Sequence, residues 1–142
     1  MKLMFIFPPV VLFAVLPIVA LATNSVLLPK TAKPLTKAEI VAIYGGKTAE
    51  WNHPNTDHTT GTATWDAAVS VSSGTWKAGK NHGEWDSKVT WKGDQYCYEA
   101  KGKDKKKYNK MVCNLVFQDV DGIVYEVDPK TKKVISTDKL VK

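Results

Sequence analysis

The stretch Glu84-Trp-Asp-Ser-Lys-Val-Thr-Trp-Lys92 decides the fold class. Trp85, Ser87, Val89 and Trp91 fall on one face at a period of two, with Asp86, Lys88, Thr90 and Lys92 on the other, the pattern of a strand buried on one side. Gly93-Asp94 then punctuates the chain, and Gln95-Tyr-Cys-Tyr-Glu-Ala100 reads as a second strand. A lysine-rich loop joins it to a third, Met111-Val-Cys-Asn-Leu-Val-Phe117. Asp121-Gly122 is a hairpin signal, after which Ile123-Val-Tyr-Glu-Val127 returns antiparallel. Asp128-Pro-Lys-Thr-Lys-Lys133 reads as another turn, and Val134-Ile135 as a last short strand before a polar tail.

Upstream, Gly74-Thr-Trp76 opens a short strand, ended by Gly79 and Asn81-His82-Gly83. Thr59 to Trp65 and Ala67 to Val71 have strand composition but little bulk, and His53-Pro54-Asn55 is a loop. Further back, Thr36-Lys-Ala-Glu39 is a capping box, flanked by Leu35 and Ile40 in the positions of a hydrophobic staple. The helix it starts has Ile40, Ile43 and Tyr44 on one face and is stopped by Gly45-Gly46. Residues 23–34, with two prolines and no period, read as an extended lead-in. One short N-terminal helix and about seven or eight short strands at hairpin spacing predict a mainly β fold, a small antiparallel barrel or sandwich forming one domain over residues 35–142.

Residues 1–22 have the three parts of an export signal. Lys2 gives a positive start, an apolar run extends from Leu3 to Leu21, and Ala20 and Ala22 supply the small residues of a cleavage site. Cleavage near Ala22 predicts a periplasmic or secreted protein that is not integral to the membrane. A retained anchor is the competing reading, opposed by Pro8, Pro9 and Pro17 within the run. An oxidising compartment in turn predicts that Cys97 and Cys113, the two cysteines of the chain, form a disulfide. Their spacing lacks the tight C-x-x-C arrangement of redox chemistry.

The 142-residue chain carries a net charge of +6, and every basic residue is lysine. Without the guanidinium fork of arginine, and with export expected, nucleic acid is excluded as a partner. The positive charge is concentrated in one stretch, where Lys101, Lys103, Lys105, Lys106, Lys107 and Lys110 occur with a single acid, Asp104. These six residues are the candidate binding site, for an anionic lipid, a lipopolysaccharide phosphate or an acidic protein. The competing role is a solvated hairpin tip that protects strand edges.

Lys33-Pro-Leu-Thr-Lys-Ala-Glu-Ile40, Tyr44-Gly-Gly-Lys-Thr48, Gly74-Thr-Trp76 and the pair formed by Tyr96-Cys-Tyr98 and Cys113 occur in an order that resembles a domain-of-unknown-function family of small exported proteins from rhizobia and related alphaproteobacteria. The resemblance spans roughly residues 33–127. Between Glu50 and Ser73 the chain departs from it, lacking a bulkier aromatic and Asp-Gly hairpin. The resemblance implies location and build, and transfers no catalytic residue.

Other constellations are weaker. His53 and His58 have a spacing that suits two metal ligands only on a helix or tight loop, and Pro54 opposes the helix. Asp119-Val-Asp121-Gly122 starts like a calcium loop but lacks the later ligands, with Lys at position 130. Lys47-Thr48 follows glycines that end a helix, where a phosphate loop would begin one. No nucleophile elbow or carboxylate spacing marks an enzyme, so no catalytic residue, metal or cofactor is assigned. Trp51, Trp65, Trp76, Trp85 and Trp91 serve either as core bulk or as a stacking platform for sugar rings. The sequence therefore predicts a non-enzymatic exported binding domain, with an inhibitor of an exported hydrolase or a glycan-binding module as alternatives.

Overall fold

A computed structural model describes residues 25–142, so the export signal read in residues 1–22 lies outside the described residues. The sequence alternation at Glu84–Lys92 forms the larger part of β5 (Asn81–Lys92), the longest strand. Its inward row continues through Gly83, and its partner across a tight turn is β4 (Val71–Ala78), paired from Val71↔Lys88 to Ala78↔Asn81. Asn81-His82-Gly83 is thus strand, and the turn is Gly79-Lys80, with Gly79 at φ 60°. On the other side β5 pairs with β6 (Gln95–Gly102). The meander continues through β7 (Val112–Gln118), β8 (Val124–Val127) and β9 (Val134–Leu140), and runs back from β4 through β3 (Thr60–Trp65) to β2 (Thr48–Asn52).

β9 pairs with β2, from Ala49↔Leu140 to Asn52↔Thr137, and β8 pairs with β7. The eight strands β2–β9 therefore close on themselves as an up-and-down antiparallel barrel. A ninth strand, β1 (Lys33–Pro34), adds to β7 where β6 has ended. Of the two architectures open to the sequence, the barrel forms because β9 is longer than Val134-Ile135 and supplies a whole edge for β2. Ala67–Val71, read as a strand, is instead mostly a turn. The Asp66 carboxylate accepts hydrogen bonds from the Ser70 and Val71 amides at 2.6 and 3.1 Å, and Val69 sits at φ 54°.

The helix α1 (Lys37–Tyr44) starts at the capping box read in the sequence, with the Glu39 amide donating to Thr36 Oγ1 and the Thr36 amide donating to Glu39 Oε2. It plugs one end of the barrel. Ile40 and Tyr44 are fully buried there with Ala49, Ala63, Trp65, Val69, Val89 and Val116. The lead-in descends the outside: Val26 exchanges two hydrogen bonds with Asn55, at 2.7 Å each, and Leu28 packs on an outer cluster of Tyr125, Val127 and Val134.

Cys97 and Cys113 are direct register partners on β6 and β7, with sulfurs at disulfide distance (2.08 Å). Cys97 lies on the outward row, opposite in parity to Tyr96 and Tyr98. Replacing both cysteines by serine is expected to lower unfolding free energy by roughly 3 kcal/mol, the value for a loop of this length, measured by urea titration of oxidised wild type against the variant.

Candidate functional site

In an up-and-down barrel alternate loops share an end. The loops β3–β4, β5–β6 and β7–β8 lie with α1, while β2–β3, β4–β5, β6–β7 and β8–β9 surround the opposite mouth. The helix fills only its own end. Toward the mouth the interior opens into a cavity of about 280 Å³.

Its walls come from pairing tryptophan with glycine across strands. Trp51 on β2 faces Gly61 on β3, and Trp85 on β5 faces Gly74 on β4. A Cβ on Gly61 would come within 2.6 Å of the Trp51 ring, and one on Gly74 within 3.0 Å of the Trp85 ring. At each position the bare backbone admits the edge of the indole, which is held there by a hydrogen bond: Trp51 Nε1 donates to Thr62 O (3.0 Å), and Trp85 Nε1 to Thr75 O (3.1 Å). Trp76 likewise stands opposite Gly83, but its N–H has no hydrogen-bond partner among the described residues. Deeper, Trp65 donates from Nε1 to the Tyr96 hydroxyl (2.9 Å) and stacks on Tyr44 at 4.1 Å. Of the five tryptophans, four line the cavity, and Trp91 packs at the helix end under the Lys37 ammonium.

Two carboxyl groups also point inward. Glu126 on β8 and Asp138 on β9 are 6% and 3% exposed and lie one register step apart, Glu126 opposite Ser136 and Asp138 opposite Val124. Asp138 accepts hydrogen bonds from the Tyr44 hydroxyl and from Ser136 Oγ (2.9 Å). Glu126 Oε2 accepts one, from Asn114 Nδ2 at 2.8 Å. Burial pushes the Glu126 carboxyl up to about 8, helped by the neighbouring Asp138 charge. Burial also raises Asp138, to about 6, against the two hydroxyl donors that hold it down. With two hydroxyl donors on Asp138 against one amide donor on Glu126, hydrogen bonding favours ionisation of Asp138 over that of Glu126. Neither residue stands out in the sequence by motif or spacing. The available signal is their parity, since each occupies an inward position of its strand.

The six lysines of the candidate site do not converge. Lys101 lines the cavity near the mouth, and its Nζ lies 5.2 Å from the centre of the Tyr108 ring, which Lys88 approaches at 4.5 Å. Lys103 pairs with Glu84 (3.5 Å) and Lys105 with Asp104 (3.3 Å), all exposed. Lys106, Lys107 and Lys110 are exposed on the β6–β7 loop, whose Asn109 amide returns to Ala100 O (2.7 Å). The same mouth carries Lys80, Lys130, Lys132 and Lys133, whereas the hairpin loops at the helix end hold Asp66, Asp94, Asp119 and Asp121 and no lysine. His53 lies at the mouth beside Trp51 and 3.5 Å from Asp57, and His58 sits at φ 54°. Among the described residues no group of three or more His, Cys, Asp or Glu side chains gathers to hold a metal. Asp119 caps its own hairpin, accepting from the Asp121 and Ile123 amides at 2.9 Å each.

The buried pair makes stability depend on pH. Its folded-state values exceed those of the unfolded chain, so the native state keeps protons that the unfolded state has released, and stability falls as pH rises from the ordinary carboxylate range to about 8. Glu126→Gln is expected to flatten the fall between about pH 6.5 and about pH 8.5, read from urea midpoints. An unchanged slope would place the titrating group elsewhere.

Residues 10–133 match the family model described as a protein of unknown function, DUF995. No curated protein and no solved structure gives a significant match. The family match spans most of the chain, and the chain belongs to the DUF995 family.

Proposed function

We propose that this protein is a binding protein that takes a small, ring-bearing molecule into the open half of its barrel. The observation that carries the reading is the cavity of about 280 Å³, walled by indole rings held in place by their own hydrogen bonds and reached through one mouth. Such a mixture of rigid apolar walls and a few inward polar groups is what small-molecule sites are made of. A barrel of this strand number is wide enough for one small ligand when side chains do not fill it. The tryptophans thus act as the walls of an enclosed site, so a sugar ring fits the proposal only as a ligand small enough to enter.

Export completes the reading. The apolar run at Leu3–Leu21 with Ala20 and Ala22, together with the cysteine pair at disulfide distance, supports work in the periplasm or outside the cell. Among the described residues no helix is long and apolar enough to cross a membrane.

Titration with a panel of one- and two-ring compounds, followed by tryptophan fluorescence, tests the proposal. Saturable quenching is expected from at least one class of compound, weakened about tenfold or more by Ala100→Phe, which puts a ring into the cavity from an inward position of β6. No saturable response from any compound, or an Ala100→Phe variant that binds like wild type, contradicts it.

A second reading concerns the rim. The loops at the mouth hold more lysines than acids, with Asp57, Asp104 and Asp128 among them, while Lys37, Lys47 and Lys92 lie at the helix end; this local excess favours an anionic surface at the mouth, in keeping with the role read for Lys101, Lys103, Lys105, Lys106, Lys107 and Lys110. Co-sedimentation with vesicles rich in anionic lipid is expected at low salt, to fall steeply toward physiological salt, and to be lost in a Lys105, Lys106, Lys107→Glu variant. Equal sedimentation of that variant removes the reading.

A further inference from the structure

The polar groups of the cavity are unevenly matched. Asp138 has two hydroxyl donors, but Glu126 has one amide donor, on Oε2. Among the described residues nothing donates to Glu126 Oε1. Since no fully enclosed side-chain oxygen or nitrogen is left without a partner, that oxygen faces the open space of the cavity. No base is at hand to pair with it: of the lining residues only His53 and Lys101 are basic, and both belong to the mouth. Burial favours the protonated form of such a carboxyl group, with a free oxygen and no cation beside it, and an incoming cation would favour its ionised form.

The walls favour the same missing partner. Because the Trp51 and Trp85 N–H groups are tied to backbone carbonyls, these residues line the cavity with aromatic carbon and π surface rather than with donors. Ring faces attract cations. An anionic head group, by contrast, would have to approach Asp138 and Glu126 with no donor charge beside them.

We infer that the cavity takes a small molecule bearing a protonated amine, with its ammonium group on Glu126 Oε1 among the indole faces and the rest of the molecule directed toward the mouth. This rests on the cavity being a ligand site, as proposed above. The lysines around the mouth suit a ligand whose outer end is neutral or acidic. Binding is linked to protons, because the ammonium stabilises the Glu126 carboxylate and expels the proton that burial otherwise keeps there. The groups facing Glu126 are Tyr44 from α1, Tyr96 and Tyr98 from β6, Asn114 from β7 and Asp138 with Ser136 from β9. Burial raises all three tyrosines out of the working range. The β2–β3 loop adds His53 and β6 adds Lys101, both at the mouth, and β3, β4 and β5 contribute only uncharged groups to the lining.

Three matched probes test the inference by calorimetry on the disulfide-bonded protein: 2-phenylethylamine, 2-phenylethanol and phenylacetate. The amine is expected to bind about tenfold or more tightly than the alcohol near pH 8, and phenylacetate least. Amine affinity should rise from about pH 6 to about pH 8 with proton release visible as a buffer-dependent heat, while alcohol affinity does not rise. Glu126→Gln should remove the preference for amine and spare the alcohol. If the alcohol binds as well as the amine, or phenylacetate binds best, the amine inference fails and the cavity remains a ligand site. Should the variant not fold, the pH dependence of amine binding to the wild type decides the same question. Binding of none of the three overturns the inference, and the ring-compound panel with Ala100→Phe decides separately whether the cavity binds anything.

Discussion

Pairing of β9 with β2 is the constraint on which the rest of the structure depends. Without it the sheet would have two free edges and an uncovered inner face, and its interior residues would be half solvated. With it, Trp51 stands opposite Asp138 and every inward position of eight strands looks into a common interior. The inward residues near the helix are bulky or buried, and α1 adds Ile40 and Tyr44 to them, so that end is packed. Tyr44 ties the helix to β9 through Asp138, so the plug and the closing strand are held by one hydrogen bond as well as by apolar contact. The same bond explains how a carboxylate is tolerated at the base of the cavity.

The open half owes its shape to glycine. Gly61 and Gly74 are placed where any side chain would collide with a neighbouring carbonyl and an indole, and these bare positions let large rings lie against the wall without meeting in the middle. On the outer face the same strands carry hydroxyl pairs, Thr48 with Thr64 at 2.7 Å and Thr62 with Thr75 at 3.0 Å, which brace the thin side of the sheet from outside. Light composition at residues 59–75 is therefore the consequence of holding Trp51 and Trp85, whose bulk is supplied by other strands.

Much of this architecture is legible in the chain, for identifiable reasons. The β5 alternation, the Thr36–Glu39 cap and the cysteine pairing are local signals, and the structure contains each of them where the sequence puts it. The full length of β9 is not legible, because its inward residues Ser136 and Asp138 face a polar region and break the apolar alternation by which strands are recognised. Ala67–Val71 misleads for the opposite reason: its β-prone composition is overridden by the Asp66 side chain, which bends the backbone into a turn. Parity assigns Trp85 and Trp91 to one face correctly, yet it cannot separate the packed end from the open end. That distinction depends on where the helix sits, and it makes Trp91 a packing residue and Trp85 a wall. The lysine cluster stands out in sequence because charge runs are conspicuous, while Glu126 sits unnoticed in Val-Tyr-Glu-Val, where only closure of the barrel reveals what it faces.

Whether the interior of the barrel is the binding site can be read most directly from the five indole N–H signals in a 15N NMR spectrum recorded during titration with a compound that quenches tryptophan fluorescence. Trp51, Trp65, Trp76 and Trp85 are expected to shift, with Trp76 moving most because its N–H donates to no fixed partner among the described residues, and Trp91 is expected to stay in place. Shifts confined to Trp91 or to backbone amides of the lysine loop, with the four cavity indoles unmoved, would contradict binding in the interior.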